Sequence, residues 1–314
     1  MAMRVVGAME YGEPEVLRVT EVPEPHAGPG EVRIRVSAAA VNPTDTYVGN
    51  GDRAEMQKAD APPYVPGMDA AGVVDEIGPE VETDLEVGDH VMAIVLPKGS
   101  HGAYAELLVV PAGSVARVPA GATDVEASTL PMNGLTARLT LDLLALAPGQ
   151  TLAVTGAAGC YGGYVVQLAK ADGLRVIADA SPADEQLVRD LGADVVVRRG
   201  DDVAARIREA APDGVDALAD GSVQNELLLP AVKDGGGFAT VRGWRGPAER
   251  GITIHPVWVR SYLEEQGKLD RLRQQVEEGA VTLRVARTFP AAETAAAHRQ
   301  LSAGGTRGRL VIEF

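Results

Sequence analysis

The strongest chemical signal in the chain is a run of glycines. An apolar segment, Thr151–Thr155, leads into Gly156-Ala157-Ala158-Gly159-Cys160-Tyr161-Gly162, and an apolar helical period follows to Lys170. Glycines at this spacing permit a tight turn and let backbone N–H groups approach a pyrophosphate. The N-terminus of the helix behind them adds partial positive charge. Three glycines alone describe only a tight turn. With a strand before, a helix after and the acidic Asp179 at the end of the next strand, they predict a dinucleotide site. Asp179 stands where a carboxylate accepts a ribose 2′-hydroxyl and excludes a 2′-phosphate. Arg198 and Arg199 end the following strand; they suit a phosphate, or they form a solvated turn.

Other reactive side chains give weaker signals. Cys160 is the only cysteine, so neither an intramolecular disulfide nor a multi-cysteine zinc lobe can form. It opens the helix after the glycines, where a thiol pKa can fall, and packing under the cofactor is the simpler role. The histidines, at positions 26, 90, 101, 255 and 298, show no metal-ligand spacing. His101, beside the Gly102-Ala103-Tyr104 turn, is the one most open to function. No Ser-His-Asp constellation is readable.

These residues need elements to hold them. Val32–Val36 alternates apolar and polar residues, Gly72–Gly78 and Asp89–Val95 are short strands, and turn residues recur, so the first 120 or so residues read as a barrel or sandwich. Beyond Pro119-Ala120-Gly121 the pattern changes. Strands are expected at Thr151–Thr155, Leu174–Ala178, Asp194–Val197, Val215–Ala219 and Gly237–Val241, with Gly251–Val257 as the last. Helices are expected from near Tyr161, Pro182, Asp201 and Ser222. Such alternation predicts an α/β parallel sheet covered on both faces. The tail reads as a long helix over Val259–Glu278, a strand at Leu283–Phe289, a helix at Ala291–Ser302 and a final strand at Gly308–Phe314.

At 314 residues two domains are the better prior. Hydrophobic content of 46% suits a globular protein. With 29 Lys and Arg against 44 Asp and Glu, the net charge of −15 disfavours nucleic acid as a partner. No secretory signal and no membrane-length apolar run is present, so the expectation is cytoplasmic, with no membrane association.

The glycine segment resembles the AAxGGVG turn of the zinc-independent quinone oxidoreductases of the medium-chain dehydrogenase/reductase superfamily, with Cys160 and Tyr161 in place of Gly and Val. Further segments resemble the family in the same order. These are Asn42-Pro43-Thr44-Asp45 (NPxD), Pro66-Gly67-Met68-Asp69-Ala70-Ala71-Gly72-Val73-Val74 (PGxDxAGVV), Gly88-Asp89-His90-Val91 (GDRV), Gly102–Glu106 (GxYAEY), Gly134-Leu135-Thr136-Ala137 (GLTA) and Ala297-His298-Arg299 with Gly308–Val311 (AHR…GKVVL). The resemblance implies a GroES-like β-rich catalytic domain, 1–121 and 258–314, and a Rossmann domain, 122–257, with substrate in the cleft between them. It implies hydride transfer from NAD(P)H to a quinone or an α,β-unsaturated carbonyl.

Zinc-dependent relatives place Cys near Pro43–Thr44 and a His-Glu pair where Met68-Asp69 stand, so no metal is expected. By resemblance, Tyr47 is the candidate proton donor or substrate orienter, or a tyrosine packing the cleft wall. Tyr64 is a second candidate, Asn42 and Thr136 contact nicotinamide or substrate, and Asp45 holds the loop. Gly156, Ala157, Ala158, Gly159, Cys160, Tyr161 and Gly162 form the cofactor turn. Ser181 stands where the family often binds phosphate, and Arg199 near another such position. Family usage favours NADPH, with Asp179 turned toward solvent or the adenosine 3′ side and Ser181 with Arg199 on the phosphate; NADH is the alternative. Related reductases pair through the last Rossmann strand, so a homodimer is expected. An enoyl-thioester reductase and a non-catalytic, crystallin-like nucleotide-binding protein are the other functional readings.

Overall fold

The computed structural model describes residues 1–52, 60–247 and 249–314, which fall into two units. One comprises Met1–Met132, Arg260–Glu278 and Leu283–Phe314; the other comprises Asn133–Val259 and Gly279–Thr282.

In the first unit β1 (Ala2–Ala8) pairs antiparallel with β2 (Leu17–Pro23). Five further strands follow: β3 (Glu31–Val41), β4 (Asp69–Ile77), β5 (His90–Ile94), β6 (Leu107–Pro111) and β7 (Val115–Arg117). Along β3 the alternation has its expected effect: Val32, Ile34 and Val36 are buried, while on the other face Arg35 is exposed and Arg33 is half-buried among carboxylates. The second half of β3, Ala38–Val41, is buried on both faces. It delivers the chain into the short helix α1 (Thr46–Asn50). α2 (Asp124–Ala127) opens on a Thr123–Glu126 capping box.

In the second unit α3 (Pro131–Leu144, its first two residues in the first unit) precedes a six-stranded parallel sheet. The strands are β8 (Thr151–Thr155), β9 (Arg175–Ala180), β10 (Val195–Arg198), β11 (Val215–Asp220), β12 (Val232–Thr240) and β13 (Thr253–Pro256). Their spatial order, β10-β9-β8-β11-β12-β13, is the doubly wound Rossmann order. The direction of winding reverses between β8 and β11, and in such sheets the ligand crevice lies at the carboxyl ends of those two strands. The helices between strands are α4 (Cys160–Ala171), α5 (Glu185–Asp190) and α6 (Val203–Ala210).

The tail supplies α7 (Gln266–Glu277), β14 (Val285–Pro290), α8 (Thr294–Ala303) and β15 (Arg309–Glu313). β14 and β15 extend the first unit's sheet, in the order β14-β15-β3-β4-β5-β7 with β6 also on β3.

Three expected helices differ. The helix expected from Ser222 is a 3₁₀ segment, Asn225–Ala231, and Pro230 within it has no N–H to give. The single helix over Val259–Glu278 is broken into a 3₁₀ turn, Val259–Tyr262, and α7. The Ser114 hydroxyl donates to the Leu263 carbonyl at 2.7 Å, so that acceptor serves a tertiary contact instead of a helical one. The helix over Ala291–Ser302 begins as a 3₁₀ turn and becomes α-helical at Thr294. Among the described residues no helix is long and apolar enough to cross a membrane.

Candidate active site and cofactor cradle

The cofactor cradle is built at the end of β8. Gly156 has φ +68°, a left-handed conformation that favours glycine. A Cβ on Gly162 would lie 2.4 Å from the Gly156 carbonyl oxygen, so the turn closes only on glycine. Gly159 caps α4 with extended backbone, and a Cβ there would meet nothing closer than 3.1 Å. The bulkier Cys160 and Tyr161 are the first residues of α4 and keep negative φ. Ala157, Ala158 and Cys160 are buried. The Tyr161 hydroxyl lies 2.8 Å from Thr140 Oγ1, which donates at 2.9 Å to the Thr136 carbonyl. Tyr161 therefore ties the glycine turn to the helix that carries Thr136.

Asp179, in β9, is turned inward. Its side chain is 1% exposed rather than turned to solvent. Oδ1 accepts the Ala157 N–H at 3.1 Å, and Arg199 Nε stands 3.7 Å from Oδ2. Burial pushes its pKa up, while the Ala157 N–H and Arg199 pull it back. Oδ2 is buried without a hydrogen-bond partner among the described residues. Ser181, expected to meet a phosphate, instead donates to Asp184 Oδ2 at 2.6 Å. A dinucleotide fits this cradle: the glycine turn leaves room for a pyrophosphate, and the orphaned carboxylate oxygen is an acceptor awaiting a hydroxyl.

A neighbouring cluster escaped the sequence reading. Asp220 ends β11, fully buried, and its Oδ1 accepts from Thr155 Oγ1 at 2.8 Å and from the Ser222 N–H at 3.1 Å. Its Oδ2 accepts the Asn225 N–H at 2.7 Å. This carboxylate holds a loop in which Val223 and Asn225 both have positive φ, 60° and 52°. Its only trace in the sequence is an acidic residue ending an apolar strand, the same pattern that drew attention to Asp179.

In the first unit the end of β3 and the start of β4 bring carboxylates around Asn42. Asn42 is fully buried; its Nδ2 donates to Asp69 Oδ2 at 2.6 Å, and its backbone N–H donates to Asp45 Oδ2 at 2.7 Å. Asp69 Oδ1 accepts the Met132 N–H at 2.6 Å. Asp45 Oδ1 accepts the Gly67 N–H at 3.2 Å, and Tyr104 OH donates to Asp45 Oδ2 at 3.3 Å. Tyr104 OH also lies 3.1 Å from His298 Nε2. Burial raises Asp45 to about 6 and Asp69 to about 7, each moderated by its N–H donors and by Arg309. Burial lowers His298 to about 4. Asp45 thus holds the loop as expected, while Asp69, Tyr104, His298 and Arg309 join it unforeseen.

Tyr47 sits half-buried in the first turn of α1, its N–H 3.3 Å from the Thr44 carbonyl. Tyr64 is held elsewhere in this unit: it bridges Ala8 through its backbone and stacks on Tyr11 with ring centroids 5.0 Å apart. His101 closes a turn by pairing its backbone with Lys98. At the positions where zinc-dependent relatives place thiolate and imidazole, Thr44 Oγ1 instead donates to Met68 Sδ at 3.2 Å. A hydroxyl and a thioether there offer zinc neither of its preferred donors.

Comparison with known proteins identifies the framework. Residues 28–120 match the alcohol dehydrogenase GroES-like domain family, and residues 191–312 match the zinc-binding dehydrogenase family. A quinone oxidoreductase of Pseudomonas aeruginosa is 30% identical over 99% of both chains. A 2-haloacrylate reductase of a Burkholderia species is 30% identical over 96% of each. The structure of the quinone oxidoreductase from Coxiella burnetii superposes with a TM-score of 0.88 over 100% of both chains, at 26% identity. The chain therefore belongs to the medium-chain dehydrogenase/reductase superfamily, in its zinc-independent, quinone oxidoreductase-like branch.

Proposed function

We propose that this protein uses a reduced nicotinamide dinucleotide to reduce a quinone or an α,β-unsaturated carbonyl. The observation that carries the reading is the cofactor cradle at the Rossmann switch point, in a chain similar from end to end to a quinone oxidoreductase. When bound, the cofactor supplies hydride. Gly156–Gly162 and the N-terminus of α4 would hold the pyrophosphate, and Thr136 and Asn42 are each candidates, by family resemblance, for contact with nicotinamide or substrate. Tyr47, or a water, would give the proton that completes the reduction, to the oxygen of a quinone or to the α-carbon of an unsaturated carbonyl. In this reading residues 1–121 with 258–314 form the catalytic domain, and 122–257 the nucleotide-binding domain. Cofactor oxidation against a panel of quinones, enones and enoyl thioesters tests it. Turnover confined to thioesters would move the assignment to an enoyl-thioester reductase, and binding without turnover to a non-catalytic protein.

For the cofactor, family usage favours NADPH, while two features of the cradle support NADH. A buried Asp179 with an unsatisfied oxygen, and a Ser181 hydroxyl already given to Asp184, support NADH. A 2′-phosphate near Asp179 would meet a buried carboxylate that already draws Arg199 to within 3.7 Å. NADH should bind about tenfold or more tightly than NADPH, the scale of one charged hydrogen bond. Equal or tighter binding of NADPH in a fluorescence titration would return the assignment to NADPH. We also propose a homodimer, joined along β13.

A further inference from the structure

The loop after β11, residues 221–225, packs directly on the glycine turn. A Cβ on Gly156 would lie 2.8 Å from the Gly221 carbonyl carbon, and a Cβ on Gly221 would lie 2.6 Å from the Thr155 carbonyl oxygen. The two backbones therefore meet with no side chain between them. All five loop residues are half-buried. Val223 and Asn225 hold left-handed φ angles of 60° and 52°. Asparagine tolerates that region, but a β-branched residue is an outlier there. Such a conformation persists only where its surroundings impose it. The fully buried Asp220 supplies the constraint. Its Oδ1 accepts the Ser222 N–H at 3.1 Å and its Oδ2 accepts the Asn225 N–H at 2.7 Å, so Val223 is pinned from both sides. Thr155 Oγ1 donates to the same Oδ1 at 2.8 Å, which ties this carboxylate to the strand that enters the glycine turn.

The sheet order puts this loop and Asp179 on opposite sides of β8, the loop following β11 and Asp179 lying in β9. A dinucleotide laid across the glycine turn with its adenosine ribose at Asp179 must send its other half toward β11. We propose that Asp220 is a positioning residue for the nicotinamide half of the cofactor, locking residues 221–225 into a strained wall on that side of the turn. The inference rests on the reading that a dinucleotide binds at this turn. A wall already held in its binding conformation costs no ordering when the ligand arrives. Once the loop is released, only the fraction of molecules with the wall formed holds the nicotinamide half, and affinity falls by that fraction. A ligand that uses only Asp179 and the glycine turn should not register the loss.

Calorimetry on the full chain tests this, with NADH and ADP as probes. ADP carries the adenosine and the pyrophosphate but no nicotinamide riboside. Both Asp220 oxygens accept hydrogen bonds, and a carboxamide can accept through only one of its two polar atoms. Asp220→Asn should therefore release one end of the loop. It should weaken NADH about tenfold, the result of a wall formed in about one molecule in ten, and ADP by less than about twofold. Equal losses for the two ligands would show that Asp220 serves only the glycine turn and the fold, and would overturn the proposal. Unchanged NADH affinity would overturn it as well. If Asp220→Asn fails to fold, Val223→Pro decides. Proline is fixed near φ −65° and cannot adopt the left-handed conformation, so the same selective loss of NADH is expected with the buried carboxylate left in place. Equal losses, or none, in Val223→Pro would rule the wall out. A wild type that binds neither NADH nor ADP would instead sink the dinucleotide reading, and this inference with it.

Discussion

Single residues separate binding from folding in the glycine turn. Gly159 and Gly162 look equivalent in the sequence but have different surroundings. A Cβ at Gly162 strikes backbone, while at Gly159 it meets only the Gly156 oxygen at 3.1 Å. Gly162→Ala should therefore lower both the melting temperature and cofactor affinity. Gly159→Val should abolish cofactor binding, by filling the pyrophosphate approach, while leaving the melting temperature within a few degrees of wild type. Calorimetry and thermal melts on both variants check the contrast, and unchanged affinity in Gly159→Val would refute the cradle's placement. Asp179→Ser should narrow the margin of NADH over NADPH, because the acceptor for the 2′-hydroxyl and the repulsion of phosphate leave together. The type of Asp179 was legible in the sequence, but its orientation was not. A strand-end carboxylate points inward only where donors await it, and here these are the Ala157 N–H and the nearby Arg199. The Ser181 hydroxyl was equally hard to place from the sequence, since it donates to Asp184, three residues on.

Elements were legible where a period or a boundary marked them. The Rossmann strands stand out because buried parallel strands read as continuous apolar runs between glycines and polar turns. α3 left no such mark: of residues 131–140 only Arg138 is not buried, so the first ten residues of the helix show no polar face to reveal a period. The tail's contribution to the Asn42 network was equally hidden, because α8 carries His298 and β15 carries Arg309 from the far end of the sequence. This placement has a consequence for stability. His298 is neutral when buried, with a pKa lowered to about 4 against about 6.5 when unfolded. Its contribution is present above pH 6.5 and is lost as pH falls toward 4, by on the order of 3 kcal/mol. Asp45 and Asp69 act in the opposite sense. Their raised values favour the fold below the unfolded carboxylate range and lose that contribution as pH rises through about 6 and about 7. The net wild-type curve mixes the two, so a difference is needed. The stability advantage of wild type over His298→Gln, from urea melts, should shrink steadily between pH 7 and pH 4. A pH-independent difference would show that His298 does not titrate in this way.

At the scale of the whole molecule, shape and charge pull in opposite directions. Among the described residues β13 is the last strand of its sheet, hydrogen-bonded to β12 on one side only. An uncovered edge is a liability, and a twofold copy that continues the sheet removes it. Each chain, however, carries a net charge of −15, so two copies repel one another at long range. Salt screens that repulsion over about 10 Å at 0.1 M and about 3 Å at 1 M, whereas backbone pairing and apolar contact at the edge are little affected. A dimer joined along this edge should therefore strengthen as salt is added, the reverse of an interface held by opposite charges. Light scattering at micromolar concentration in moderate salt should report twice the chain mass of 32.7 kDa, drifting toward the monomer as ionic strength falls. Thr253→Lys places a charge on an exposed position of β13, and should shift the population to monomer while NADH still binds, since the cradle belongs to β8 and α4. A wild type that stays monomeric at every salt concentration, or a Thr253→Lys variant that stays dimeric, would place the contact elsewhere or remove it.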